Sequence, residues 1–401
     1  MKKIIPNFFL SFYHFSLAFL GTLFYGLPSK KIKVIGITGT NGKTTVSEMV
    51  NQIFEKAGFK VALSNSIRFK IDKSESLNKL RMTMPGRAFL QKFLRGAIKE
   101  NCQYAILEVT SEGIKQYRHK FINFEIAVFT NLSPEHIEAH GSYEKYREAK
   151  GKLFQETKNI HIINTDDKEA NFFLKFPAKR KITFGLEQGE INNRELNLKL
   201  KIPGQFNIYN ALAAISIAYS QGVDKNFAKE VVENFEGAPG RMELVIAKPF
   251  KVFVDYAFTP AALEKVYQTL IKLNNETHKS PSNLICVLGS CGGGRDRWKR
   301  PVLGALAKNY CQEVIITNED PYNEDPMEII NQVAKGVGEK AKKILDRREA
   351  IREALKIAKE NDIVIITGKG CEPSICIKGK KIPWDDRDVV REEFNRLFNQ
   401  Q

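Results

Sequence analysis

The sequence predicts an α/β protein built from two parallel sheets in succession, each covered by helices. Three observations predict it. Short apolar runs alternate with longer helical stretches from residue 32 almost to the end of the chain. A glycine-rich turn joins the first of those runs to the first helix. The 401 residues are 43% apolar, enough for two or three separate cores.

Residues 8–27, FFLSFYHFSLAFLGTLFYGL, carry no charge over 20 positions. Lys2 and Lys3 precede them, and Lys30, Lys31 and Lys33 follow. The length just reaches a bilayer span. Ser11, His14, Ala18, Gly21 and Tyr25 recur at helical spacing as one small, partly polar stripe. Residues 1–31 therefore read as a helical segment lying on a membrane or docked on the protein. No A-x-A-like site precedes the next strand, which argues against a cleaved signal peptide.

The first α/β block, 32–240, has strands near 33–37, 103–108, 125–130 and 160–164. Its helices start at about Lys43 and lie near 143–154, 207–220 and 225–235, while 181–203 alternates like antiparallel strands. Gly237-Ala238-Pro239-Gly240 is turn chemistry and marks a domain boundary. In the second block, 241–401, strands near 251–255, 283–288, 312–316 and 361–366 alternate with helices near 260–273, 300–309, 327–338 and 347–359.

Lys and Arg number 62 against 46 Asp and Glu, a net charge of +16. That balance suggests an anionic partner without choosing among nucleotide, nucleic acid and acidic membrane. Six cysteines are too sparse for a disulfide scaffold and fit a reducing cytosol. Cys286/Cys291 and Cys371/Cys376 have a zinc-knuckle spacing. Cys286, however, lies in the apolar run Leu284–Leu288, which reads as a buried strand and argues against a metal there.

The sharpest signal is Gly36-Ile-Thr-Gly39-Thr40-Asn41-Gly42-Lys43-Thr44-Thr45, set between a strand and a helix. Backbone N–H groups of such a loop, with the helix N-terminus, form a nest for phosphate oxygens. Lys43 reaches the β- and γ-phosphates of a nucleotide, and the Thr44 hydroxyl suits Mg²⁺. The strict G-x4-G-K-[ST] pattern fails, because Ile37 stands five places before Gly42.

This variant, G-T-N-G-K-T-T, resembles the Mur ligase family, ATP-dependent amide-forming enzymes of peptidoglycan precursor synthesis. The likeness continues in order through residue 390, and its later motifs point to the diamino-acid-adding branch rather than to folylpolyglutamate synthases. The resemblance implies a P-loop central ATPase domain followed by a smaller Rossmann-like domain. It also makes Gly39 to Thr45 the phosphate loop and gives Glu108, at a strand end before Val109-Thr110-Ser111, a role in holding Mg²⁺. Thr130-Asn131-Leu132-Ser133-Pro134-Glu135-His136-Ile137-Glu138-Ala139-His140-Gly141 is similar to the family's T-N-L-x-x-D-H-L-x-x-H-G, which assigns His136 to a second metal. Lys150 matches the lysine that the family carbamylates. Carbon dioxide added to a neutral, desolvated lysine turns a cation into a carboxylate able to bind Mg²⁺.

Gly204-Gln-Phe-Asn207-Ile-Tyr-Asn210 resembles the family's adenine-side helix, with two amides one turn apart on one face. Arg241 and Asp255 match ATP-contacting residues, and Phe258 stands where the family usually has His. Thr83-Met84-Pro85-Gly86 resembles a substrate-contacting loop, which gives Thr83 and Pro85 that role. Arg295, in Gly292-Gly-Gly-Arg295-Asp-Arg-Trp-Lys-Arg-Pro301, takes the place of the clamp on the amino acid's carboxylate. Asn318-Glu319-Asp320-Pro321-Tyr322 stands where the family has D-N-P-R, and Gly368-Lys-Gly370-Cys371-Glu372 where it has G-K-G-H-E. Asp320, Tyr322 and Glu372 therefore face the added diamino acid. Tyr322 in place of Arg, with Asp320 in place of Asn, favours a distal ammonium such as that of lysine or ornithine.

The implied activity is an ATP- and Mg²⁺-dependent ligation of a diamino acid to a UDP-N-acetylmuramoyl-L-alanyl-D-glutamate-type carboxylate through an acyl phosphate. Two Mg²⁺ ions and a carbamylated Lys150 are implied. The partners are a muramyl peptide and a diamino acid, with no nucleic acid, in a cytoplasmic monomer that touches the inner face of the plasma membrane through residues 8–27. The family carries a uridine-binding domain where about 30 residues precede the first strand here. The rival acceptors are a lipid-linked muramyl peptide or a folate polyglutamate. A non-catalytic nucleotide-binding module is the rival from another class.

Overall fold

The run Val34, Ile35 and Ile37 is fully buried, as expected for a strand covered on both faces. The computed structural model describes residues 7–86, 88–277 and 282–398, so Lys2 and Lys3 lie outside the described residues. The chain divides into two units. One holds Met1–Pro134, Ser142–Lys201 and Phe206–Glu236; the other holds Glu135–Gly141, Ile202–Gln205 and Gly237–Gln401.

The first unit is built on nine strands: β1 (Lys33–Thr38), β2 (Val61–Ser64), β3 (Arg68–Ile71), β4 (Ser74–Leu77), β5 (Tyr104–Glu108), β6 (Phe124–Phe129), β7 (Ile160–Asn164), β8 (Arg180–Gly185) and β9 (Ile191–Asn192). Their order is β4-β3-β2-β5-β1-β6-β7-β8-β9. Only the β2–β3 and β3–β4 pairs are antiparallel. The register pairs Ile37 with Glu108 and Thr38 with Phe129, so the C-terminal ends of β5 and β6 flank the loop that leaves β1. Ligands of open α/β sheets bind at such strand ends.

The expected antiparallel strands at 181–203 are a misreading. β8 and β9 join the sheet in parallel, Asn193–Leu196 is helical, and 197–204 forms no strand. The alternation there is real, because Leu198 and Ile202 are buried while Lys199 and Lys201 are exposed. It belongs to an extended segment that packs without a sheet partner. The β3–β4 hairpin and the helix Phe89–Lys99 are additions to the sequence reading.

The helix Asn7–Phe24 lies against this unit by one face. Ser11 Oγ donates to the Tyr117 hydroxyl at 2.9 Å, Phe15 meets the edges of Tyr117 and Phe121, and Phe19 meets Phe121. At Gly21 an added Cβ would lie 3.0 Å from the Ala88 Cβ, so the helix approaches as close as a glycine allows. No helix among the described residues is long and apolar enough to cross a membrane.

The second unit carries β10 (Glu243–Ile246), β11 (Lys251–Asp255), β12 (Leu284–Leu288), β13 (Glu313–Ile316), β14 (Ala341–Lys343) and β15 (Ile363–Thr367), in the order β10-β11-β15-β12-β13-β14. β10 alone runs antiparallel. A hairpin of β16 (Ser374–Ile377) and β17 (Lys380–Pro383) follows. Val252, Val254, Val287, Ile315, Val364 and Ile366 form its core with Ile351 and Leu355 of the helix Arg347–Ile357. Asp346 caps that helix by accepting from the Glu349 N–H.

Candidate active site

The loop Gly39–Thr45 is held from outside by Thr130 and Asn131. Asn131 accepts from the Asn41 N–H and donates to the Asn41 carbonyl, both at 3.0 Å, and Thr130 Oγ1 donates to that carbonyl at 2.8 Å. The Thr40 N–H in turn donates to the Asn131 carbonyl. Gly39 must be glycine, since a Cβ there would fall 2.0 Å from Thr130 Oγ1. Gly42, at φ 85°, begins the helix Lys43–Lys56, and no side chain caps it. The first turn of such a helix is where an anion is favoured. Thr44 and Thr45 lie buried in that turn.

Two lysines converge on one carbonyl. Lys43 Nζ donates to the carbonyls of Gly39 at 2.9 Å and Thr40 at 2.8 Å, and Lys150 Nζ donates to the same Gly39 carbonyl at 2.8 Å. Lys150 comes from the helix Tyr143–Glu156 and is 2% exposed, with its amine 4.8 Å from the Tyr146 ring centre. Burial first, and the Lys43 ammonium second, hold the Lys150 amine well below the usual lysine range. A neutral amine is the form that adds CO₂.

Glu108 ends β5 with 1% exposure. Its carboxylate accepts from the Ser66 N–H at 3.0 Å and from Ser66 Oγ at 3.3 Å, and Ser66 Oγ also meets Thr83 Oγ1 at 2.9 Å. The Thr83–Pro85 loop is therefore wired to the carboxylate beside the P-loop strand, and Arg118 holds it by donating to the Met84 carbonyl. No group of three or more His, Cys, Asp or Glu among the described residues is arranged to hold a metal ion. A divalent ion has no all-protein cage here. One carboxylate and one hydroxyl, completed by phosphate oxygens, is a donor set that suits Mg²⁺.

Asn207 and Asn210 are buried and bonded to each other, Nδ2 of Asn210 to Oδ1 of Asn207 at 3.0 Å. Asn210 also presses on the loop: a Cβ on Gly42 would lie 2.3 Å from its Oδ1. The pair braces the loop's last glycine.

In the second unit, Asp255 ends β11 and accepts from the Met242 and Ala257 N–H groups at 2.7 Å each. Burial raises its pKa, opposed by Arg241 and by those two N–H bonds. The Arg241 guanidinium lies 4.3 Å from the Tyr256 ring centre, and the Tyr256 hydroxyl donates to Glu372 at 2.9 Å. His136 adopts φ 58° at the start of the short helix Ile137–His140. That segment is tied down by Asp296, which accepts from the Ile137 and Glu138 N–H groups, and by the buried pair Lys299–Glu135 at 2.8 Å. The Arg295 loop thus positions the histidine turn.

Asp320 bears on the argument for a distal ammonium. It is 1% exposed, paired with Lys369 Nζ at 2.8 Å, and accepts from the Cys376 N–H at 2.7 Å. Its charge already has a cation partner, which it shares with Glu372. Lys369 also pairs with Glu372, and Tyr322, at φ 53°, packs against Gly293. Cys291 donates its thiol proton to Glu319 at 2.7 Å, and burial raises the Glu319 pKa.

The structure gathers Lys43, Lys150, Asn207 and Asn210 about the phosphate loop, and joins Thr83 to Glu108. It places His136, Arg241, Asp255, Arg295, Asp320, Tyr322 and Glu372 in the second unit. Sequence reasoning missed Ser66, the link between Thr83 and Glu108, and Tyr146, whose hydroxyl meets Thr40 Oγ1 at 3.0 Å. Neither residue stands in a motif, so no spacing signal marks them.

The Mur ligase middle domain model matches residues 37–218, and the Mur ligase glutamate ligase domain model matches 240–370. The chain is 36% identical to the UDP-N-acetylmuramoyl-L-alanyl-D-glutamate--2,6-diaminopimelate ligase of Syntrophomonas wolfei, over 94% of this chain and 81% of that one. It is 37% identical to the protein of the same name from Clostridium botulinum, over 95% and 82%. A solved structure of a ligase of that name superposes with a TM-score of 0.59 at 31% identity, over 91% of this chain and 79% of that one. Folylpolyglutamate synthase of Mycobacterium tuberculosis shares the fold, with a TM-score of 0.70 at 17% identity over 96% and 95%. Models matching in both units, and relatives matched over four fifths of their length, place the chain in the Mur ligase family of ATP-dependent carboxylate–amine ligases.

Proposed function

We propose that this ligase joins a diamino acid to the D-glutamyl side-chain carboxylate of a UDP-N-acetylmuramoyl-L-alanyl-D-glutamate-type substrate in the cytoplasm, as a monomer. The observation that carries the reading is the convergence of Lys43 and a buried Lys150 on the Gly39 carbonyl. The names of the relatives support the substrate, with 2,6-diaminopimelate as their amine.

ATP lies with its phosphates over the Gly39–Thr45 nest, where Lys43 exchanges its two carbonyl partners for phosphate oxygens. The γ-phosphate passes to the glutamyl carboxylate, giving an acyl phosphate. The diamino acid's neutral amine then attacks, and the tetrahedral intermediate expels phosphate. Such transfer depends mostly on positioning and charge neutralisation. Thr44, Glu108 and a carbamylated Lys150 would hold one Mg²⁺, and His136 would serve a second. When bound, these ions neutralise phosphate charge. Thr83 and Pro85 face the muramyl peptide, Asn207, Asn210, Arg241 and Asp255 serve ATP, and Arg295, Asp320, Tyr322 and Glu372 surround the diamino acid.

The test is phosphate release from ATP with UDP-muramyl dipeptide and a diamino acid supplied singly and together. Release that needs both is expected. Release with either alone, or none at all, overturns the reading.

A further inference from the structure

We propose that the outward face of the helix Asn7–Phe24 is a docking surface for an anionic lipid bilayer. The docked face, through Ser11, Phe15 and Gly21, leaves the opposite face uncovered. That face is also apolar. Phe9, Phe12, Tyr13, Leu20, Leu23 and Phe24 are 61%, 65%, 49%, 59%, 51% and 82% exposed. At 100° per residue these six fall within an arc of roughly 120°. A contiguous apolar patch of that kind marks an interaction surface, whereas scattered apolar residues do not.

The charge around the patch selects its occupant. The helix carries no charge, exposed Lys30 and Lys31 follow it, and no Asp or Glu precedes Glu48 in the chain. Lys2 and Lys3 stand before it in the sequence. A protein partner ordinarily meets a rim of mixed polar groups. A second copy joined antiparallel along this helix would set lysines of one end against lysines of the other, which a self-complementary interface avoids. An anionic bilayer meets both demands: acyl chains take the aromatic face and headgroups take the flanking lysines. No helix among the described residues is long and apolar enough to cross a membrane. Held along its length by the protein, the helix Asn7–Phe24 lies in the membrane plane. The protein supplies the polar side that a free interfacial helix would carry itself. The inference stands apart from the ligase reading.

Flotation of the full-length protein tests it, with vesicles of phosphatidylcholine and phosphatidylglycerol in equal parts. The protein floats with these vesicles, and phosphatidylcholine alone or molar salt weakens binding by about tenfold or more. A Phe12→Ser/Leu20→Ser/Phe24→Ser variant loses binding by about tenfold or more, while its melting temperature and ATP turnover stay as in the parent, because all three side chains are exposed. Lys30→Glu/Lys31→Glu lowers the preference for anionic vesicles. A parent protein that stays in the soluble fraction overturns the proposal, as does a triple variant that still floats. A parent that sediments as a dimer, dispersed to monomer by the triple variant, overturns it in favour of a second copy.

Discussion

Lys150 and Lys369 are buried to the same degree and meet opposite company. Lys150, 2% exposed, finds a backbone carbonyl, an aromatic ring and a second lysine. Lys369, fully buried, finds two carboxylates, Asp320 and Glu372. Burial removes water from both; the neighbours then decide what each amine becomes. In the first unit the outcome is an amine whose pKa is lowered, beside the loop Gly39–Thr45. In the second it is an ion pair that ties Asp320 to the turn Gly368–Glu372.

The comparison breaks if the two lysines respond alike to substitution. Lys150→Ala should lower substrate-dependent ATP turnover by about 10³-fold, with partial rescue by added short carboxylates. Lys43→Ala should match it without rescue. Steady-state phosphate release checks both, and a folded Lys43→Ala protein with near-parental turnover would falsify the phosphate-loop reading. Lys369→Met should instead destabilise the fold by about 3–5 kcal/mol, because Asp320 is left buried without its cation. Urea unfolding measures that cost, and a loss below about 1 kcal/mol would show the pair to be dispensable.

Two smaller effects sharpen the contrast. Tyr322→Arg places a guanidinium beside the amino-acid loop and should raise the kcat/KM ratio of meso-diaminopimelate to lysine by about tenfold; an unchanged ratio removes Tyr322 from the specificity argument. The last effect concerns pH. Unmodified Lys150 titrates well below 10.5 when folded and near its ordinary value when unfolded. Between those two values the unfolded chain holds one more proton, so this residue makes stability rise with pH. Lys150→Met should flatten that slope in melts run across neutral and mildly alkaline pH in CO₂-free buffer.

The strands most legible in the sequence were the longer runs buried on both faces, while Val61–Ser64, buried throughout but only four residues long, was not among them. The run Lys251–Asp255 was placed to the residue, because apolar runs bounded by turn residues read clearly as central strands. β3 and β4 escaped notice because Arg68–Ile71 and Ser74–Leu77 are half-exposed or exposed and mostly polar, which leaves little contrast to read. The motif loops announced Lys43, Glu108 and Lys150 by type and position. They could not announce Lys369 as the partner of Asp320, since the two stand 49 residues apart and only the sheet brings them together. The preference drawn from Asp320 left out that contact: a charge read as open to an ammonium in sequence is paired with Lys369 in space.

The contact between Gly39 and Thr130 has a consequence for inheritance and for engineering. The two positions are separated by 91 places in the chain, yet the loop at one fills the space that a methyl group at the other would need. With Asn131 gripping Asn41 from both sides, the turn after β1 and the turn after β6 are a single part written in two places. A phosphate loop transplanted from another nucleotide binder would arrive without its counterpart and sit loose. Transplanted together with residues 130 and 131, it would bring its own mould.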